Sequence, residues 1–236
     1  MAFYNEFRPR QFGDLVGNTR LVRSLISQVQ SDTVHHSYLF CGRSGVGKTT
    51  TARILAASIL CQNSRNGAGC CGDCQSCRSI LEGTHWDVVE LDGAHFRGID
   101  DVDDLVRKAR LFPFSGHKVY IIDECHRLTA ASWDVLLKLL EEPPQFLTMI
   151  LCTTDPHKVP ETVRSRCSVC AFEPPTDKEV REKLERICQR LEFPIEQSRL
   201  LYCVSEARGN FRMAENLLEQ AYAEYLAEQL EALKNG

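Results

Sequence analysis

No window of the sequence holds the roughly 18 consecutive apolar residues that a membrane span needs. The N-terminus, MAFYNEFRPRQFGDL, is polar and charged and lacks the apolar stretch of a signal peptide. Positive charge is not in excess either. With 28 Lys+Arg against 32 Asp+Glu the net charge is −4, which excludes a strongly basic chain that coats itself in nucleic acid but leaves a local basic patch open. There is no internal repeat and no low-complexity segment. These absences predict a cytoplasmic, globular chain, and its 236 residues suit one large domain or a medium one plus a small one.

Cysteine is abundant instead, with 12 in the chain. In a reducing compartment they do not read as a disulfide framework. Cys61, Cys70, Cys71, Cys74 and Cys77 cluster within 17 positions, which points to a metal. The other seven are scattered singly and read as small buried hydrophobes.

The hydrophobic pattern alternates. Residues 14–30 have apolar spacings of three and four, a helix. HSYLFCG, WDVVELDG, KVYIID and FLTMILCTT read as buried strands. DDVDDLVRKARLF is a helix with acids in its first turn and bases in its last, as the helix dipole favours. SWDVLLKLLEE is a helix stopped by Pro143-Pro144. Residues 62–76 have loop composition. Strands alternating with helices predict a parallel sheet wrapped by helices. From EPPT at 173–176 onward only helix periodicity remains. The sequence therefore divides into an α/β domain over 1–174, bearing a cysteine module at about 61–77, and a small three-helix domain over 175–236.

Gly42 to Thr49, GRSGVGKT, matches G-x4-G-K-S/T between a predicted strand and a predicted helix. Its glycines (Gly42, Gly45, Gly47) let backbone N–H groups, including that of Val46, turn inward around phosphate oxygens at a helix N-terminus. Lys48 is placed to reach the β- and γ-phosphates, and Thr49 to offer a hydroxyl to Mg2+. Asp123-Glu124 ends the strand KVYII. Asp123 suits the magnesium site and Glu124 the general base that polarises the attacking water. Asp123-Glu124-Cys125-His126 also spells the box of some helicases. A helicase core needs a second such α/β domain, and the 113 residues after Asp123 are mostly helical in pattern.

Cys61, Cys71, Cys74 and Cys77 form C-x9-C-x2-C-x2-C. Four thiolates close a tetrahedral ion, so a bound zinc would be structural. A ferredoxin-type cluster would want a further Cys-Pro after Cys77, which is missing. Cys70 could replace Cys71, though Cys71 completes the spacing to Cys74; His85 is a weaker candidate ligand. Taken alone, Arg166 in Ser165-Arg166-Cys167, Arg212 in GNFR, and the Thr153-Thr154 pair read as surface charges and a loop cap.

The order of these pieces resembles the gamma/tau subunits of bacterial DNA polymerase III, the AAA+ ATPase motors of sliding-clamp loaders. The matching segments are FRPRQFGDLVGN at 7–18, HSYLFCGRSGVGKTTTARILA at 36–56, the cysteine insertion, EGTHWDVVELDGA at 82–94, KVYIIDECHRLT at 118–129, LLKLLEEPP at 136–144, CTTDPHKVPETVRSRC at 152–167 and GNFRMAENL at 209–217. The resemblance implies an AAA+ P-loop ATPase domain with a zinc-bearing insertion, followed by a helical lid, with ATP between them. It implies that Arg8, Pro9 and Val16 lie near adenine, that Thr50 extends the phosphate-loop set, and that Thr153 and Thr154 cover the sensor position. Arg212 matches the lid arginine that acts in cis. Arg166 matches the arginine finger that acts on a neighbouring subunit's ATP. The implied cofactors are ATP, Mg2+ and Zn2+. The implied partners are the other loader subunits, the sliding clamp and primer-template DNA, within a DNA polymerase III holoenzyme. A helicase loader or related DNA-associated ATPase is the alternative. Three departures stand out: the extra Cys70; a bulky His95-Phe96 in DGAHFRGID, where Arg97 suggests a DNA contact; and a chain that stops where the family's third, collar domain would begin. The last predicts an isolated chain that is monomeric or weakly associating.

Overall fold

The computed structural model describes residues 2–63, 69–96 and 99–234. Five strands form one parallel sheet: β1 (Ser37–Cys41), β2 (Val88–Asp92), β3 (Lys118–Asp123), β4 (Leu147–Thr153) and β5 (Ser168–Ala171), in the order β2-β3-β4-β1-β5. The helices are α1 (Phe3–Glu6), α2 (Thr19–Gln30), α3 (Lys48–Ile59), α4 (Gln75–Leu81), α5 (Ile99–Ala109), α6 (Ala130–Glu141), α7 (Glu161–Arg164), α8 (Asp177–Arg190), α9 (Gln197–Ala207) and α10 (Phe211–Lys234).

β1 and β4 are buried at every position. This explains their unbroken apolar runs, because both faces of the sheet are covered. Side chains still alternate. Tyr38, Phe40, Val119, Ile121, Ile150 and Cys152 join one core with α2 and α3 residues such as Leu25 and Leu55. Leu39, Cys41, Tyr120, Ile122, Met149 and Leu151 join the other, with Leu105 of α5 and Leu136 of α6. Of the seven scattered cysteines, all are buried except Cys167, which is half-buried.

The structure departs from the sequence pattern in several places, among them β2, expected as a buried strand but half-buried or exposed at every position. β5 was not legible as a strand: it has four residues, sits at the sheet edge and buries only Cys170. α4 lies in the cysteine segment, where Cys74 caps its start by accepting from the Cys77 N–H. The helix expected over 14–30 is α2, which starts at Thr19 after a short 3-10 turn at Phe12–Asp14.

α8, α9 and α10 pack round a separate core that includes Val180, Leu184, Cys203, Phe211 and Leu218. Thr176 and Glu179 start α8 with a reciprocal capping box. Phe3 of α1 is also in this core, against Tyr222 of α10. The chain therefore passes from the helical unit to the sheet unit between Phe7 and Phe12, which is buried in the sheet core, and returns near 173–176. The start of α2 is tied to the second crossing. Asn18 Nδ2 donates to the Glu173 carbonyl (3.2 Å), and the Glu173 N–H donates to Asn18 Oδ1 (2.8 Å).

Candidate functional site

After β1 the chain turns through residues 42–47 before α3 starts at Lys48. Gly45 (φ +77°) and Gly47 (φ +102°) hold the left-handed backbone of this turn, which costs a residue with a side chain about 1 kcal/mol or more. Space is a second reason at Gly45. A Cβ there would lie 1.9 Å from Asn210 Oδ1, at the start of α10. The Phe211 N–H donates to the Gly45 carbonyl at 3.1 Å, tying helical unit to loop. Gly45→Ala is therefore expected to force α10 off the loop. The melting midpoint should fall by about 2–4 °C or more, and ATP affinity should weaken; unchanged melting and affinity would mean that the two elements stand apart in solution.

The buried Lys48 ammonium donates to the carbonyls of Gly42 (2.8 Å) and Arg43 (3.0 Å). The Thr49 hydroxyl donates to Asp123 Oδ2 at 2.6 Å, joining the first turn of α3 to the tip of β3. Glu124 follows with φ +47°, a left-handed conformation that turns the chain sharply off the strand. Its Oε2 accepts from the Thr154 hydroxyl at 2.9 Å and lies 3.3 Å from His126 Nδ1, which is also 3.1 Å from Thr153 Oγ1.

Lys48, Thr49, Asp123 and Glu124 border a cavity of about 320 Å³ between the loop, the tip of β3, the N-terminal segment and α10. Of the residues singled out in the sequence, Gly45, Val46, Gly47, Lys48, Thr49, Thr50, Asp123, Glu124, Arg8, Pro9, Val16 and Arg212 line it. Arg212 stacks over Tyr4 at 5.6 Å from the ring centroid. Arg8 is disfavoured in its charged form by burial and by Arg53, with Glu90 opposing. Gly42, Thr153, Thr154 and Arg166 do not line the cavity. Gly42 packs against the backbone at Phe172. Thr153 is fully buried, and Thr154 holds Glu124. Arg166 follows α7 and pairs with Glu141 Oε1 and the Thr162 carbonyl, each at 2.7 Å. Arg97 lies outside the described residues. Tyr4, Lys183 and Glu215 also line the cavity and were not evident in the sequence; Glu215 falls one helical turn after Arg212, but only the fold says which side of α10 faces the cavity.

The sulfurs of Cys61, Cys71, Cys74 and Cys77 all lie within 4.8 Å of one another. A tetrahedral ion with bonds of about 2.3 Å sets its thiolates about 3.8 Å apart, so this cluster fits a metal. Backbone N–H groups already point at three of the sulfurs: Cys71 to Cys61 (3.3 Å), Cys74 to Cys71 (3.3 Å) and Cys77 to Cys74 (3.4 Å). Burial pulls the Cys74 thiol upward, yet the amides of Cys77 and Gln62 with the neighbouring thiols bring it down to about 6. Cys70 turns away: its Sγ donates to the Arg10 carbonyl at 3.2 Å, and its N–H donates to Ser58. The geometry thus favours Cys71 over Cys70. Both His85 nitrogens are engaged, with Ser76 and the Asp87 N–H, and His85 is not among the clustered ligands. Residues 64–68 of the cysteine segment lie outside the described residues.

A parallel sheet in this order, a phosphate loop after β1, an acid pair at the tip of β3 and a helical unit closing over the loop define an AAA+ P-loop ATPase fold. Solved structures of Thermotoga maritima RuvB, a Holliday junction branch migration motor, share that fold with a TM-score of 0.72 at 21% identity, over 94% of this chain and 67% of that one. The family described as DNA polymerase III, delta subunit matches residues 17–176, and the chain belongs to this family of DNA polymerase III subunits. Among its relatives, the tau subunit of Bacillus subtilis is 37% identical over 93% of this chain and 39% of its own length. The tau subunit of Escherichia coli is 37% identical over 92% and 34%. The gamma/tau subunit of Mycobacterium tuberculosis is 36% identical over 94% and 39%. The chain thus spans about two fifths or less of the length of these curated relatives. Among the described residues no helix is long and apolar enough to cross a membrane.

Proposed function

We propose that this chain is the ATP-binding and hydrolysing motor segment of a sliding-clamp loader, working with other loader subunits on a clamp and primer-template DNA within a polymerase III holoenzyme. The observation that carries the reading is a cavity bordered by the phosphate loop, Asp123, Glu124 and Arg212 together, in a chain related to tau and gamma/tau subunits. Residues 1–174 act as the ATPase module, except for α1, which packs with the lid, and residues 175–236 act as that lid. Loop N–H groups and Lys48 take the phosphates. Pro9 and Val16 offer an apolar wall to the base. Thr49 and Asp123 would hold Mg2+, which would supply positive charge to offset that of the phosphate oxygens. Glu124 takes a proton from the attacking water, and Thr154 and His126 fix its carboxylate. Arg212 neutralises phosphate charge from the lid, so that binding draws the lid toward the loop. The test is ATP turnover by the chain alone and with primed DNA, clamp and the remaining loader subunits. Stimulation by the full mixture is expected; turnover indifferent to all of them would overturn the loader reading.

Zinc is the metal that best fits four thiolates with no open position. Dialysed protein should hold about one zinc per chain. Cys74→Ser should lower zinc content and melting temperature together, because metal-binding free energy is folding free energy here. Iron with visible absorbance in fresh protein would overturn the zinc assignment.

A further inference from the structure

α8 carries Lys183, Arg186, Ile187 and Arg190 at helical spacing, which puts them on one face. That face meets the N-terminal segment, where Phe7, Arg8, Pro9 and Arg10 run from α1 toward the 3-10 turn at Phe12–Asp14. Between them lies a second cavity of about 320 Å³. It shares Arg8, Pro9, Val16 and Lys183 with the first, while Arg10, Arg186, Ile187 and Arg190 line this one alone. Five cationic side chains border it against two acids, Glu6 and Asp14, in a chain whose net charge is −4.

The protein itself does little to neutralise these cations. Asp14 is occupied, since its Oδ2 accepts from the N–H groups of Arg10 (3.1 Å) and Gln11 (3.2 Å). Lys183 is taken by Glu215, Nζ to Oε1 2.8 Å, and is not counted as a donor to a ligand. Arg186 holds Glu182 at 2.5 Å, but both side chains are half-exposed, and a pair so exposed exchanges readily. Among the described residues, the guanidinium groups of Arg8, Arg10 and Arg190 make no hydrogen bond or ion pair. The helix dipole favours a cation at Arg190, in the last turn of α8. That reason does not extend to Arg8 and Arg10, which come from a different segment. Arg8 is also half-buried, and burial, then Arg53, disfavour its charge. Like charges gathered from two segments repel, and an anion between them offsets the repulsion.

Arginine forks take carboxylates and phosphates in pairs of N–H bonds. A carboxylate has two oxygens, enough for one fork. A phosphate group presents more, so one group can bridge forks from both walls. The cleft matches in volume the cavity at the phosphate loop, ample for more than one phosphate. We propose that this cleft is a second anion site, for a ligand carrying two or more phosphate groups, held by Arg10 and Arg190 together with Arg8 and Arg186. Two sources offer that chemistry: a free polyphosphate and the phosphodiester backbone of a nucleic-acid strand. Such a site is separate from the phosphate loop and stands whether or not ATP binds there.

The experiment titrates the chain by calorimetry with inorganic tripolyphosphate and, separately, with a short oligothymidylate. It is repeated on Lys48→Ala, whose phosphate loop has lost its cation; binding at the cleft should persist there. Arg10→Glu and Arg190→Glu, one on each wall, should each weaken the bound probe about tenfold or more, the loss expected for a charge-assisted hydrogen bond. Arg181→Glu makes the same charge change on α8 outside the cleft, where Arg181 pairs with Glu185 at 2.7 Å. It should weaken binding about twofold or less, because solvent and salt screen a distant exposed charge. Tighter binding of tripolyphosphate identifies the ligand as a free polyphosphate, and tighter binding of the oligonucleotide identifies it as a strand. Equal losses in all three variants would reduce the cleft to diffuse surface charge and overturn the site. Binding lost in Lys48→Ala and indifferent to Arg10 and Arg190 would return the phosphate to the loop. Binding of neither probe, or preference for a polyglutamate peptide over both, would overturn the phosphate assignment.

Discussion

Arg166→Ala is expected to leave ATP turnover almost unchanged in a preparation shown to be monomeric, and to cost about 10³-fold or more in an assembled loader. The reason is position. Arg166 does not border its own subunit's cavity; it stands past α7, paired with Glu141 and the Thr162 carbonyl. Its side chain is 36% exposed and that of Glu141 48%, and pairs so exposed contribute about 0–1 kcal/mol. The guanidinium is therefore easily turned toward a neighbour. There it would meet a γ-phosphate whose charge grows in the transition state, so the effect belongs in turnover and not in binding. Mixing gives the sharper check. Arg166→Ala chains combined with Lys48→Ala chains should recover some turnover, because each supplies what the other lacks. Loss of ATP binding by Arg166→Ala in a proven monomer would mean that the residue acts within its own subunit or only supports the fold.

Glu124→Gln is expected to keep ATP binding and lose about 10²-fold or more of turnover. Asp123 is committed to Thr49 at 2.6 Å and Glu124 is not, so the two acids divide the work. The left-handed backbone at Glu124 (φ +47°) turns its side chain off the strand axis, and Thr154 then fixes one carboxylate oxygen. A glutamine of the same size keeps that contact and the local fold but is not a base. A single-turnover measurement separates chemistry from binding. Equal rates for Glu124→Gln and the parent would show that another group orients the water.

The parts of the site written in one continuous stretch were legible from sequence. The phosphate loop is eight successive residues between a buried strand and a helix, and the acid pair sits at the end of an apolar run. β1, β3 and β4 were equally plain, because strands covered on both faces read as unbroken apolar runs. Elements without that burial were not. β5 has an exposed Val169 and only four residues. α4 is capped by Cys74, a residue whose type suggested a metal and not a helix start. Phe3, near the N-terminus, gave no sign that it belongs to the core of α8–α10; that contact spans most of the chain. Lys183 and Glu215 meet across two helices, and helical periodicity alone marks neither as lining the cavity. The choice between Cys70 and Cys71 needed the directions of adjacent side chains, which spacing does not provide.

The reciprocal hydrogen bonds of Asn18 and Glu173 fix one point on the path between sheet and helical unit. α10 starts beside it, since a Cβ at Gly209 would lie 3.1 Å from the Pro175 carbonyl and 3.3 Å from Pro174. Its 24 residues extend about 36 Å away at 1.5 Å each. Arg212 and Glu215 thus ride on the short arm, and the end at Lys234 on the long one. A swing of about 10° would carry the far end about 6 Å along its arc, given a helix of that length. Near the cavity the same swing shifts atoms by no more than the slack of a hydrogen bond. Any displacement at the cavity end of α10 would therefore reach Lys234 several times larger.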